Sequence, residues 1–230
     1  MDIAQPRSEL EKLEDTICMF LNQRLMFNYD KKIYKVGGIP IKGYNGSFFK
    51  YFFKETEILN SRLGRYTKAT PEEQPFLIRP SKPIIQKNEE ISEVQPVKNM
   101  TKKISSEYFT FLSSVCQEGE NCDPGSTVSL DILCLQSLSR RVHLGGYIAE
   151  AKYQKDKELY DRLIAAEDIE GIRRQLRNIE KEEENLERIE KKSIIYGVPG
   201  ELVCGFFKDT VMPTTIEVEL VYFMSKGNKQ

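Results

Sequence analysis

Residues 137–152 read SLSRRVHLGGYIAEAK. The flanks are apolar enough to be core, yet two arginines, the chain's single histidine, two glycines and a lysine interrupt the stretch. It reads as part of one long helix from about residue 127 to 154. An α-helix turns about 100° and rises about 1.5 Å per residue. Arg141 and Lys152 therefore sit about 20° from alignment, with Cα atoms about 16–17 Å apart along the axis. Gly145 and Ile148 lie between them on the same stripe. Two long cationic side chains leaning together over a glycine suit a small dianion. The same spacing serves an Arg and a Lys that reach out to water over apolar surface, and spacing alone leaves both readings open. His143 reads as an ordinary packed or surface histidine.

The bounds exclude several classes. The chain has 230 residues, 40% hydrophobic and 30% charged, as expected of a globular protein with a real core. Its net charge of −1 gives no global case for nucleic acid or membrane binding. The opening MDIAQPRSEL lacks a signal-peptide pattern, and no apolar run approaches the ~20 residues of a membrane span. Five scattered cysteines without a CxxC pair suit free thiols in a reducing cytoplasm. Together with a single histidine they speak against a zinc site, and no metal is expected.

Outward from the long helix, the chain reads as helices throughout. Leu10, Leu13, Ile17, Phe20 or Leu21, and Leu25 mark an amphipathic helix over 8–28, and Ser8 with Glu11 has capping-box spacing. A Gly-rich connection (34–47) leads to a second helix with aromatic anchors, SFFKYFFKETEILNSRLGRY. Residues 67–104 hold five of the ten prolines and read as a surface excursion with room for one short helix. A short helix over 105–117 ends at EGENCDPGS. Ile169, Ile172, Leu176, Ile179, Leu186 and Ile189 form a helical stripe opposite a charged face, too irregular for a coiled coil. PTTIEVELVYFMS (213–225) alternates like a strand, but a lone strand would lack a partner, so a helix is expected. There is no internal repeat and no GxGxxG, P-loop, GxSxG or HExxH motif.

Asn178 and Glu182 are four apart, as are Thr215 and Glu219, so each pair shares a helix face. Charges near a core must be paired or neutralised. A cleft holding Arg141, Lys152, Glu182 and Glu219 satisfies that need and binds a polar ligand.

DILCLQSLSRRVHLGGYIAEAKYQ (131–154), with LYDRLIAAEDIEGI and NIEKEEENLERIEKKSIIYGV after it, closely resembles the fungal and plant type of chorismate mutase. SELEKLEDTI and GSFFKYFFKETEILNSRLGRY resemble that family's first helices, and PTTIEVELVYF its last. The likeness covers most of 7–66 and 125–224 and is poor in 67–124. It implies an all-α, single-domain, multi-helix bundle over 1–230 with a long central helix, forming a homodimer without a cofactor. It implies an isomerase that converts chorismate to prephenate, on the way to phenylalanine and tyrosine.

By the same resemblance, Arg7 and Arg141 clamp the substrate's carboxylates, assisted by Asn178 and Thr215. Lys152 and a protonated Glu219 donate to the ether oxygen, while Glu182 accepts from the ring hydroxyl or orients Lys152. The reaction is a pericyclic [3,3] rearrangement, which needs no nucleophile and no proton transfer. Holding the reactive conformer and stabilising developing charge are what remain for such groups to do. Regulated members bind tyrosine or tryptophan at a dimer-interface site with two adjacent arginines and a Gly-Ser turn. Here these fall on Gly64-Arg65 and Gly125-Ser126, with Ser129 in place of a nearby threonine. With Ser8 as the cap, Arg7 would lie just outside its helix. Two rivals remain: an aromatic-metabolite binder without turnover, and a helical interaction module using the charged 165–192 segment.

Overall fold

The structure, a computed structural model, describes residues 4–67, 71–85 and 98–227, with side chains from Ser8 onward. Among these residues every regular element is helical: α1 Ala4–Leu25, α2 Lys31–Tyr34, α3 Phe48–Arg62, α4 Thr101–Val115, α5 Pro124–His143, α6 Gly145–Lys155, α7 Lys157–Ala165, α8 Ile169–Leu176, α9 Ile179–Ile195, α10 Gly200–Phe206, a π-helical turn Phe207–Val211, and α11 Met212–Gly227.

Local chemistry sets most of the boundaries. Asp30, Ser47, Asp123, Asp156, Asp168 and Asn178 each accept a backbone N–H as the N-cap of the following helix. Gly64 ends α3 with φ +81°, and the Arg65 N–H returns to the Asn60 carbonyl. That left-handed turn favours glycine, which explains the residue where the resemblance expects an arginine. α1 begins a turn before Ser8, because Pro6 is tolerated in a first turn whose N–H groups lack partners anyway. Ser8 is therefore not the cap, and Arg7 lies within the helix.

The long helix expected over 127–154 is two helices. They meet at Leu144, where α5 gives way to the Gly145-Gly146 start of α6. Gly145 lies under α11: a Cβ there would stand 3.0 Å from the Thr215 carbonyl oxygen and 3.1 Å from Thr215 Cγ2. The excursion also differs from expectation at both ends. Residues 101–104 are already the first turn of α4, and Asn99 accepts the Thr101 N–H at 2.8 Å. Glu72 and Met100 are buried, so this segment packs against the body rather than running free over it.

Two apolar clusters flank the site. The larger joins Ile17 and Leu21 of α1, Phe53 of α3, Tyr108 and Leu112 of α4, Leu135 and Leu138 of α5, Ile189 of α9, and Val203 and Phe207 near the π turn. The smaller joins Ala149 and Tyr153 of α6, Tyr160 of α7, Ile172 and Leu176 of α8, and Leu220 and Phe223 of α11. Tyr160 and Phe223 stack at 4.4 Å between ring centroids. α1 packs along α5 and α9, and α11 along α6. Inside the larger cluster the fully buried Arg24 donates through Nε to Asp131 Oδ1 at 2.6 Å. Tyr34 and Tyr108 donate to the same carboxylate at 2.7 and 2.9 Å. This pins α1, α2, α4 and α5 together, since a buried charge is tolerated only when paired and hydrogen-bonded.

Candidate active site

Where α1, α5, α6, α8, α9 and α11 converge, they enclose a cavity of about 670 Å³. Its walls answer the question of the positive charge in 137–152. Arg141 turns inward and is 3% exposed. Arg140 turns the other way, towards Glu9, Glu72 and Glu73 at 3.6–3.9 Å. His143 is buried, donates Nδ1–H to the Ser139 carbonyl and accepts the Met100 N–H at Nε2. Burial depresses its pKa to about 4, so it serves as a neutral strut.

Arg141 Nη1 donates to Thr215 Oγ1 at 3.4 Å and Nη2 to Glu14 Oε1 at 3.2 Å. Glu14 is fully buried, and its other oxygen accepts from Arg188 Nη2 at 2.5 Å. Arg188 also donates to Asn185 Oδ1 at 3.1 Å and lies 3.5 Å from Glu11. The Nε–H groups of both Arg141 and Arg188 are buried and have no partner. Buried unpaired donors are costly, so these walls are built to be completed by an acceptor-rich ligand.

Opposite them, Lys152 Nζ donates to Glu219 Oε2 at 2.7 Å and to the Leu176 carbonyl at 2.9 Å. That carbonyl belongs to the last turn of α8, where the negative end of the helix favours an ammonium. Glu219 is 4% exposed. Burial raises its pKa, while Lys152 and Arg141 pull the other way. The Glu219 charge in turn helps burial push Tyr160 up to about 12. Thr215 donates its hydroxyl to the Val211 carbonyl at 2.8 Å, so its oxygen is oriented as an acceptor for Arg141.

Arg141, Lys152, Asn178, Glu182, Thr215 and Glu219 thus line one cavity. Asn178 is the N-cap of α9, accepting the Lys181 N–H at 3.0 Å, and Glu182 lies in the turn that follows. Arg7 lies on α1, but its side chain is outside the described residues. The expected effector residues line no part of this cavity. Arg65 is held by Glu73 at 2.7 Å and Gln136 at 2.8 Å. Ser126 bonds to Asp123, and Ser129 to the Gly125 carbonyl. Within this single chain, Arg65 meets α5 about 10–15 Å along the axis from Ser129 and Ser126.

The sequence reading missed Glu14, Arg177 and Arg188. Glu14 carried a usable signal, because it falls on the apolar stripe between Leu10 and Ile17. Arg177 and Arg188 had none, as each sits in a strongly charged stretch where such residues normally face water.

A buried, cation-rich cleft with a raised carboxyl group, carried by helices alone, defines an all-α protein that takes a small, multiply anionic metabolite. The comparisons name the class more closely. The chorismate mutase type II family model matches residues 125–220. The chorismate mutase of Schizosaccharomyces pombe is 35% identical over 96% of this chain and 94% of its own. A chloroplast chorismate mutase from Zea mays superposes with a TM-score of 0.90 at 30% identity, covering 99% of this chain and 96% of its own. One from Candida albicans, solved in complex with L-Trp, superposes at 0.85 and 30% identity, covering 100% and 93%. The chain belongs to the chorismate mutase family.

Proposed function

We propose that this protein is an isomerase that converts chorismate to prephenate in aromatic amino acid biosynthesis. The observation that carries the reading is the facing pair of charge clusters in one cavity: Arg141 with an unpartnered Nε–H on one wall, Lys152 with a buried Glu219 on the other. Arg7 and Arg141 hold the two substrate carboxylates, and Asn178 and Thr215 assist. As the C–O bond breaks, negative charge gathers on the ether oxygen. Lys152 and the protonated Glu219 donate hydrogen bonds to it, which stabilises the transition state more than the ground state. Glu182 accepts from the ring hydroxyl. The new C–C bond forms within the same molecule, so no cofactor, covalent intermediate or proton transfer is called for.

The whole chain is read as one catalytic unit that pairs into a homodimer in the cytoplasm. Among the described residues no helix is long and apolar enough to cross a membrane. An aromatic amino acid, tyrosine or tryptophan, is the expected effector. It would bind between subunits, at Arg65 of one and Gly125, Ser126 and Ser129 of the other. Glu73 already neutralises Arg65, so an effector carboxylate must displace it, and the response to tyrosine is expected to be weak. The decisive experiment follows chorismate disappearance by ultraviolet absorbance with purified protein. Turnover that stays at the spontaneous rate would remove the enzyme reading and leave a binding protein.

A further inference from the structure

The cavity's cations are matched by carboxylates, but not all in the same manner. Arg141 and Arg188 share the buried Glu14, and Lys152 is paired with the buried Glu219. The remaining pair, Arg177 with Glu182, stands at the rim, with side chains 55% and 25% exposed. Its geometry is a fork: Arg177 Nε donates to Glu182 Oε1 at 3.3 Å and Nη2 to Oε2 at 2.9 Å. Two parallel N–H···O bonds fix both the place and the plane of a carboxylate, which a single ammonium cannot do.

Arg177 belongs to an extended link, φ −81° and ψ 137°, between α8 and α9. Its neighbours are both committed to the site: the Leu176 carbonyl receives Lys152, and the Asn178 side chain caps α9. Glu182 lies at the start of α9, where free N–H groups and the positive helix end attract a carboxylate. Without a competing partner, that carboxylate is drawn back onto its own helix. Lys181 offers no such partner, because it is paired with Glu184 at 2.5 Å. The Arg177 fork is what holds Glu182 off the helix end and at the cavity mouth.

We propose that Arg177 is a positioning residue that presents the Glu182 carboxylate to the substrate's hydroxyl. This rests on the reading of Glu182 as a substrate contact. A hydroxyl contact is made equally in the ground and transition states, so its loss weakens binding more than chemistry and appears mainly in KM.

The test is steady-state kinetics on chorismate with the full chain and four variants: Arg177→Ala, Arg177→Lys, Glu182→Gln, and the double variant Arg177→Ala/Glu182→Gln. Arg177→Ala is expected to lower kcat/KM about three- to tenfold, mostly through KM, the scale of one exposed but forked ion pair. Arg177→Lys recovers less than half of that loss, because it restores the charge without the fork. In the Glu182→Gln background, Arg177→Ala should change kcat/KM by no more than about 1.5-fold. Wild-type kinetics in Arg177→Ala, or the same loss with and without the Glu182 carboxylate, overturns the proposal while leaving the Glu182 contact standing. Wild-type kinetics in Glu182→Gln removes that contact and the proposal together.

Discussion

Replacing Glu219 by glutamine separates the carboxyl group's charge from its capacity to donate. The group is 4% exposed, and its Oε2 lies 2.7 Å from the Lys152 ammonium. Burial raises its pKa, and the opposing pull of Lys152 and Arg141 does not cancel that rise. A dianionic substrate in the same cavity adds further upward pressure. Only the protonated form donates to an ether oxygen. Above the folded pKa the protonated fraction falls with each pH unit, so kcat/KM of the wild type should fall about tenfold per unit on the alkaline side. Glutamine keeps nearly the same shape and donates at every pH, and Lys152 keeps the Leu176 carbonyl at 2.9 Å. Glu219→Gln should therefore stay active, lose the alkaline fall, and have a peak rate lower by about tenfold.

The same shift makes a statement about stability. A folded pKa raised above the ordinary ~4.3 means the folded state binds the proton more tightly. The associated stability is complete below ~4.3 and is lost as pH rises through the folded value. The glutamine variant has no such decline. The assays are chorismate-loss profiles from about pH 5 to 9 and urea unfolding at matched pH values. An inactive glutamine variant, or rate profiles of identical shape, would refute a protonated Glu219 as the donor.

Arg141→Ala and Lys152→Ala should each lose at least about 100-fold in kcat/KM while circular dichroism shows the helices intact; near-normal activity in either removes it from the site. Glu14→Gln takes the shared counter-charge from two guanidinium groups, one of them buried. The ligand-free protein should lose about 3 kcal/mol by urea unfolding. A saturating, unreactive cyclic dicarboxylate should restore most of that loss, and an equal loss with and without it would mean that the cavity does not take a dianion. Gly145→Ala sets a methyl group 3.0 Å from the Thr215 carbonyl oxygen. The clash should outweigh the ~1 kcal/mol gained in helix propensity and push α11 outward, so that activity falls further than stability. A more stable and fully active variant would show that the α6–α11 approach is not tight.

The sequence carried the helices but not all of their ends. The all-helical class followed from recurring three- and four-residue steps. The segment 213–225 is helix α11 despite its strand-like alternation, because its outward and inward faces both have helical neighbours to cover them. The break at Leu144 was hidden, since two adjacent glycines inside a helical pattern read equally as a packing gap or a joint. The stripe from Ile169 to Ile189 is likewise interrupted. The Arg177–Asn178 link separates two helices, and Ile169 and Ile179 are 43% and 66% exposed. At the cavity, residues lying on apolar stripes could be read from spacing. Arg24 follows Ile17 and Leu21 at helical steps, and its full burial beside Asp131 was legible on the same grounds as that of Glu14. Arg177 could not be, because its task depends on a chain direction set by two helix ends.

The π-helical turn Phe207–Val211 gives the last helix an unusual sensitivity to chain length. A π turn holds one residue more than an α turn. Deleting a single residue there would restore an ordinary helix and rotate everything after it by about 100°. Thr215 and Glu219 would leave the cavity together, while Leu220 and Phe223 would leave the small cluster around Tyr160. Point substitutions in 207–211 spare this phase, whereas insertions and deletions cannot. The segment is thus a place where reading frame within the helix, rather than side-chain identity, is under constraint. A Thr210 deletion that kept both helicity and turnover would show that α11 tolerates the slip.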